Sequence, residues 1–391
     1  MNILYITQWF SSEGGGGEVV FINVAKGMAK KGHKVEVISH KLKNTADEQI
    51  QGLEIHRIDP KLNNQLPSIF DNFLFMILGI IQGISIIRKN KIDVIHSNNF
   101  ISVIVGKTLS KIFRIPFVTT IHHVYYQTPE LWDKWAKQEG VSKLSKILGP
   151  FLEKMTIKMD ADAIHTVSKS TYEDVKKINK KSKVVMITNG LYPEKYQGYF
   201  SEEFNDYIVF IGRLVFYKNV NFLIIAFIHV LEKIPNAKLV IIGDGPLKTE
   251  LTDLVTQNHL ENNIIFIGFN DGDTKYELLA KSTALVQPSL AEGSSMVAIE
   301  AFALGKPVIM SNLKCSHELI VNGINGFTIP PDNQKQWTEK IEMLLTDKSE
   351  SKKLGKNAQI RMIEKFNLNL LLQEFETLYV DILKTRESVA K

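Results

Sequence analysis

The sequence predicts an α/β protein of two doubly wound, Rossmann-like domains facing across a cleft, and three observations carry that expectation. Short runs rich in β-branched and apolar residues alternate with helix-length segments from the first residue to about 330, the pattern of parallel strands joined by crossover helices. The series restarts after Asn189-Gly190, a turn signal followed by a polar stretch to Asp206. The chain has 391 residues, which at about 150 per domain suits two or three domains.

The first series comprises NILYIT (2–7), KVEVIS (34–39), DVIHS (93–97), FVTTI (117–121) and AIHTV (163–167). The second comprises YIVFIG (207–212), KLVIIG (238–243), NIIFIG (263–268), ALVQPS (284–289) and PVIMS (307–311). Each run is nearly continuous in apolar or β-branched residues, as strands covered on both faces require. The expected organisation is an N-terminal domain over 1–190, a C-terminal domain over 206–365, and a last helix over about 368–391 that returns to the first domain.

Apolar residues make up 44% and charged residues 23%, close to globular averages, which excludes disordered, collagen-like and polytopic membrane classes. The single cysteine, Cys315, cannot form an intrachain disulfide. No basic region or signal-type segment precedes the first strand, so a cytoplasmic location is expected. The longest apolar stretch, 73–87, is interrupted by Gly79, Gln82 and Gly83 and reads as a buried helix. The net charge of +5 is uneven: residues 1–200 hold 27 Lys and Arg against 18 Asp and Glu, whereas the remainder is mildly acidic. The basic half should meet an anionic partner: nucleic acid, a phosphorylated acceptor or a membrane face.

In open α/β sheets ligands lie beyond the carboxyl ends of the strands, beside helix N-termini. The loops there are the places to seek chemistry. The first holds four consecutive glycines, Gly14 to Gly17, before a helix with Val20, Val24 and Met28 on its apolar face. Glycines without Cβ atoms let a ligand approach the backbone, and the helix start offers N–H groups to an anion. A dinucleotide fingerprint is the rival reading, weakened by Val19 at its third glycine position.

The second loop is IGRLVFYKNV. Arg213 as a fork and Lys218 as a point charge make a diphosphate clamp, with Asn219 placed to cap the next helix. The third begins at Ala291-Glu292-Gly293-Ser294-Ser295-Met296, and eight of the nine residues from 296 to 304 are apolar, Glu300 being the exception. A carboxylate in a core helix needs donors, such as ribose hydroxyls or a buried cation. Gly293, Ser294, Ser295 and Met296 present N–H groups and hydroxyls at the helix start. Gly243 and Gly245 in IIGDGPL suit a tight turn over a flat base, and Gly268-Phe269 ends a strand at the same edge. His122 and His123 follow FVTTI, where a histidine acts as a general base or a hydroxyl partner. Asp271 and Asp273 could hold a divalent cation, but they also suit a turn with Asp273 or Thr274 capping the next helix, and no metal is expected.

Together these residues resemble retaining glycosyltransferases of family 4, which have the GT-B fold. The resemblance spans nearly the whole chain and is carried by Glu292 and Glu300 in EGSSMVAIEAFALGKPVI, then NGINGF, with GRLVFYKN, IIGDGP, ITNG and the glycine-rich loop in the family's order. It implies that Arg213 and Lys218 bind the donor diphosphate and that Glu300 holds the ribose. It implies that Glu292 and the backbone from Gly293 to Met296 hold the donor sugar and phosphate, that Gly16 and Gly17 approach the phosphate or acceptor, and that His122 touches the sugar. The family often has Asp where His123 stands and Phe-Gly where Gly293-Ser294 stand, which leaves the donor open.

The activity so implied is hexosyl transfer from a UDP- or GDP-sugar co-substrate to a glycan or lipid-linked acceptor, without cofactor, metal or nucleic acid. A nucleotide-sugar epimerase and a non-catalytic nucleotide-binding module are the alternatives. Between 131 and 158, Trp132, Trp135, Leu144, Ile147, Leu148, Phe151 and Met155 mix with six lysines, a composition that suits either an anionic membrane face or a helix with a solvated basic side.

Overall fold

In this computed structural model the described residues are 1–10, 16–41, 50–59, 69–98, 100–124, 129–138, 140–141 and 143–390. Gly14 and Gly15 fall outside them. The chain divides into two compact units, one of Met1–Asp133, Val141–Asn189 and Leu368–Lys391, the other of Lys134–Gly140 and Gly190–Asn367.

The first unit holds strands β1 (Asn2–Ile6), β2 (Lys34–His40), β3 (Leu53–Ile58), β4 (Val94–Ser97), β5 (Phe117–Ile121), β6 (Ala163–Thr166) and β7 (Lys183–Met186). Its sheet has the order β3-β2-β1-β4-β5-β6-β7, parallel throughout. Helices α1 (Gly16–Lys30), α2 (Ile69–Lys89), α3 (Ile101–Phe113), α4 (Pro129–Gln138), α5 (Lys143–Lys158) and α6 (Lys169–Ile178) lie between these strands in the chain. The second unit has β8 (Tyr207–Ile211), β9 (Lys238–Ile242), β10 (Ile264–Gly268), β11 (Ala284–Gln287), β12 (Val308–Ser311) and β13 (Gly326–Ile329) in the parallel order β10-β9-β8-β11-β12-β13. Its helices are α7 (Val220–Lys233), α8 (Lys248–Gln257), α9 (Asp273–Lys281), α10 (Met296–Ala303), α11 (Ser316–Leu319), α12 (Gln334–Thr346) and α13 (Lys348–Lys365).

Burial on both faces explains the apolar runs. In β8, Ile208 and Phe210 join a core with Leu223 of α7 and Trp337 of α12, while Val209 and Ile211 face Ile299 and Phe302 of α10 and Met362 of α13. Three strands go beyond the sequence expectation: β3, β7 and β13, each at a sheet edge. Edge strands have weaker apolar patterning; LEIHRI in β3 is mostly half-buried and KVVM in β7 has both ends exposed.

The stretch 73–87 does form a helix, α2, but not a buried one. Phe75 and Ile86 enter the core, whereas Phe73, Ile77 and Ile81 stand at spacing of four on an exposed face.

The last helix, α14 (Leu368–Ala390), returns to the first unit. Arg386 grips Asp162 by two bonds of 2.8 Å, Nε to Oδ1 and Nη2 to Oδ2. Deeper in, a buried chain of hydrogen bonds links Tyr5 Oη to Tyr379 Oη (2.9 Å), Tyr379 Oη to His96 Nδ1 (2.6 Å), His96 Nε2 to Thr120 Oγ1 (2.7 Å) and Thr120 Oγ1 to His165 Nδ1 (2.9 Å). It ends at the carbonyl of Ile187, 2.8 Å from His165 Nε2. A carbonyl only accepts, so His165 carries its proton on Nε2. Thr120 must then donate to His165 Nδ1, His96 to Thr120, Tyr379 to His96 Nδ1 and Tyr5 to Tyr379. One direction satisfies every group, and it requires both imidazoles to be neutral.

Burial enforces that state, lowering His165 to about 4 and His96 well below its ordinary value, while raising both tyrosines. The folded-state values lie below the unfolded value of about 6.5, so below that pH the unfolded chain binds more protons than the folded one. Stability should be complete above pH of about 6.5 and fall toward pH 4, by on the order of 3 kcal/mol from His165 alone. Urea midpoints measured from pH 7 to 4.5 check this. A flat profile would contradict the neutral relay, and His165→Gln should make the profile shallower.

Candidate functional site

Each sheet reverses its strand order once, between β1 and β4 in the first unit and between β8 and β11 in the second. Loops leaving neighbouring strands at such a point diverge and open a crevice. In the second unit Gly212 and Arg213 follow β8, and the segment from Ser289 to Ser295 follows β11.

Arg213 is exposed at the end of β8, and Lys218 closes a short 3-10 turn, Phe216–Lys218. Lys218 Nζ lies 2.5 Å from Glu292 Oε2, with both side chains largely buried. Burial alone would lower the lysine, but the adjacent carboxylate reverses the shift and holds it above its ordinary value. Glu292 also accepts at Oε2 from Ser289 Oγ (3.4 Å), and its carbonyl lies 3.1 Å from Cys315 Sγ. Cys315 is buried and pushed up to about 12, so its thiol stays protonated.

The helix start at α10 takes its cap from Ser295, whose Oγ accepts from the Ala298 N–H at 3.3 Å. That bond uses one lone pair of the oxygen, and the hydroxyl keeps its O–H as a donor. Gly293 and Ser294 precede the cap half-exposed, and Met296 opens the first turn, where helical N–H groups lack intrahelical partners.

Glu300 lies one turn inward and is buried. Its Oε1 accepts from Lys275 Nζ at 3.3 Å, its Oε2 has no hydrogen-bond partner among the described residues, and the buried Tyr196 hydroxyl stands close enough to interact with the carboxylate. Burial raises the Glu300 pKa, with Lys275 partly opposing the shift. A donor arriving from a ligand would complete the carboxylate's bonding. Lys275 was missed in the sequence because lysines usually read as solvated. The signal was its place four residues before Leu279 on the apolar side of α9, where Lys275, Tyr276, Leu279 and Ala280 are all buried.

Gly243 and Gly245 lie where the turn after β9 presses against the neighbouring backbone. A Cβ on Gly243 would lie 1.9 Å from the Gly212 carbonyl, and one on Gly245 would lie 2.6 Å from that of Leu214. Both have positive φ, and the segment is stitched by Leu214 N–H to Asp244 O at 2.9 Å. These glycines let the β9 loop buttress the backbone that presents Arg213. Gly268 faces open space, and Phe269 beside it is 68% exposed, a flat apolar surface at the same edge. Neither expected cap forms: Asn219 is left-handed without a side-chain cap bond, and Asn270 Oδ1, not Asp273 or Thr274, receives the Gly272 and Lys275 N–H groups at the start of α9. Asp273 instead accepts from the Tyr199 hydroxyl.

In the first unit, Gly16 and Gly17 open α1. A Cβ on Gly17 would come within 3.0 Å of the His122 ring, so the glycine permits the contact. A second polarised relay sets that ring. Thr7 donates to the Trp9 carbonyl (3.1 Å), so its oxygen accepts from Asn98 Nδ2 (3.4 Å), which turns Asn98 Oδ1 toward His122 Nε2 (3.0 Å). His122 therefore carries its proton on Nε2 and leaves Nδ1, buried and without a partner among the described residues, as a lone-pair acceptor. Burial lowers its pKa to about 3. So weakened a base favours the hydroxyl-partner alternative over proton abstraction near neutrality. Asn98 and Thr7 escaped the sequence reading because they act only through His122.

Two parallel, doubly wound sheets with cations, paired carboxylates and a helix start at the second sheet's reversal define the GT-B class of glycosyltransferases. The model described as Glycosyltransferase Family 4 matches residues 14–195, and that described as Glycosyl transferases group 1 matches 193–361. The chain belongs to this glycosyltransferase family. It is similar to an uncharacterized glycosyltransferase of Methanocaldococcus jannaschii, 28% identical over 371 residues spanning 91% of this chain and 92% of that one. It is 25% identical over 324 residues to the UDP-Gal:alpha-D-GlcNAc-diphosphoundecaprenol alpha-1,3-galactosyltransferase of Escherichia coli, covering 78% of this chain and 79% of that one. Among solved structures, sucrose-phosphate synthase from Thermosynechococcus elongatus superposes with a TM-score of 0.81 at 19% identity, over 98% of this chain and 99% of that one.

The Lys218–Glu292 pair yields a stability prediction. Lys218→Met strands a largely buried carboxylate and should cost about 3 kcal/mol, whereas Lys218→Met with Glu292→Met should recover most of it. Denaturant midpoints of the two variants check this; equal losses would mean that the pair is not coupled.

Proposed function

We propose that the protein is a retaining hexosyltransferase that moves a sugar from a UDP- or GDP-sugar to a glycan, lipid or lipid-linked acceptor in cell-envelope polysaccharide, glycolipid or glycoprotein biosynthesis. The observation that carries the reading is Glu300 Oε2, a buried acceptor without a hydrogen-bond partner among the described residues, in the helix whose start adjoins the Lys218–Glu292 pair. That combination suits a nucleoside diphosphate: hydroxyls for the inner carboxylate, phosphate for the helix start and the cations. The name of the Escherichia coli relative, with its UDP-linked donor and lipid-diphosphate acceptor, supports the same substrate classes.

As the sugar–phosphate bond breaks, negative charge grows on the departing phosphate. Arg213, Lys218 and the first turn of α10 stabilise that charge more in the transition state than in the ground state. The cations supply the countercharge that a metal would otherwise provide. Glu292, held by Lys218, serves as an acceptor for donor hydroxyls rather than as a nucleophile. Retention then follows from same-face attack, with the leaving phosphate taking the acceptor proton. His122 Nδ1 accepts from a sugar hydroxyl, Gly16 and Gly17 line its approach, and the first unit carries the acceptor. The setting is the cytoplasm, at the membrane face.

Incubation with UDP-, GDP- and ADP-sugars and an acceptor extract, with and without chelator, tests the reading. Acceptor-dependent, chelator-insensitive release of nucleoside diphosphate is expected. Interconversion of donor sugars without acceptor would indicate an epimerase, binding without turnover a nucleotide-binding module, and loss on chelation a metal enzyme. Arg213→Ala should lower turnover by about 10²–10³-fold, and an unchanged rate would remove Arg213 from the leaving-group site.

A further inference from the structure

We propose that the outer faces of α2 and α5 in the first unit form a docking surface for an anionic phospholipid bilayer; the inference rests on the lipid-acceptor reading above and specifies its location. On α5, Leu144, Ile147 and Phe151 stand at spacings of three and four, with Ile147 74% exposed. On α2, Phe73, Ile77 and Ile81 form a second stripe, with Ile81 59% exposed. Helix α3 packs against both helices, so the stripes belong to one layer. A water-facing helix ordinarily shows polar residues on its outer side, and two apolar stripes on helices flanking α3 mark a surface that is covered in use.

Charge selects the occupant. On α5 the stripe is flanked by Lys143, Lys154 and Lys158, while the helix's only acid, Glu153, is buried. Lys111 of α3 is exposed, as are Arg88 and Lys89 at the end of α2. A two-fold contact with a second copy would set these cations against each other, whereas an anionic headgroup layer attracts them, each lysine near such a surface adding about fivefold to the partition. The apolar stripes match shallow insertion at the headgroup boundary, the mode of amphipathic helices that lie on membranes. Neither helix spans: α2 buries Phe75 and Ile86 in the unit's own core.

Placement also fits. Helix α2 follows the carboxyl end of β3, and α5 follows that of β5 by way of α4. Phe73, Leu144 and Ile147 therefore lie near the starts of helices that leave the sheet edge carrying His122. A surface seated there would bring a membrane-embedded acceptor to the loops of the first unit.

The structure also corrects which aromatic residues take part. Trp132, in the same stretch of sequence, packs on Gly149, where a Cβ would lie 2.5 Å from the indole, and donates from Nε1 to the Lys146 carbonyl at 2.8 Å. It fastens α4 to α5 and is not offered to lipid.

The test is co-sedimentation of the full chain with phosphatidylcholine vesicles, with and without about one-third phosphatidylglycerol, at low and high salt. Salt-sensitive binding to the anionic vesicles only is expected. Ile147→Ser with Phe151→Ser, and separately Phe73→Ser with Ile81→Ser, should each weaken it by about tenfold or more while leaving thermal unfolding unchanged. No binding at low salt, or equal binding by the serine variants, would overturn the proposal. A concentration-dependent dimer in sedimentation velocity, abolished by the same substitutions without vesicle binding, would assign the face to a second copy instead. Nucleoside diphosphate release with a short water-soluble acceptor, followed in the same variants, separates failure of docking from failure of the transferase reading.

Discussion

Parallel strand pairing is the constraint on which the rest depends. Every strand of both sheets runs the same way, so successive strands within a sheet must be joined by crossovers, and the loops that follow the strands leave by one edge. The order then reverses once in each sheet, at β1/β4 and at β8/β11. Arg213 and the Glu292 loop leave the second reversal, and Asn98 and Gly17 stand beside the first. Residues far apart in sequence meet because topology leaves their loops nowhere else to go.

A second theme is polarity imposed by burial. The Tyr5–Tyr379–His96–Thr120–His165 chain and the Thr7–Asn98–His122 chain both end on backbone carbonyls, which fixes every proton along them. The first chain ends satisfied and fastens α14 to the first unit. Among the described residues the second leaves His122 Nδ1 without a partner, just as the Lys275 contact leaves Glu300 Oε2 without one. The same desolvation fixes protons where the chain closes and leaves a bare acceptor where it does not.

Much of this was legible in the sequence, and the residues show why. Central strands such as YIVFI are buried on both faces and carry continuous apolar runs, while LEIHRI at an edge looks like loop. Glu300 declared itself as the one acid in an apolar helix, but its partner Lys275 hid among ordinary lysines. Gly243 and Gly245 were visible as conspicuous glycines, yet their purpose, admitting the backbone around Arg213, depends on a contact across strands. The apolar run of α2 revealed a helix without revealing its solvent-facing stripe, since hydrophobicity does not state which side is covered. Side chains that act through another side chain, such as Asn98, leave no local pattern.

In the proposed function the second unit recognises a nucleoside diphosphate through a buried ribose acceptor, Glu300 Oε2. Calorimetric titration of UDP and GDP beside their 2′-deoxy and 3′-deoxy counterparts addresses it most directly. Removing a ribose hydroxyl should weaken binding by about tenfold or more, because the carboxylate is left without its donor, and Glu300→Ala should abolish the discrimination. Deoxy and parent nucleotides binding the native protein equally well would contradict it.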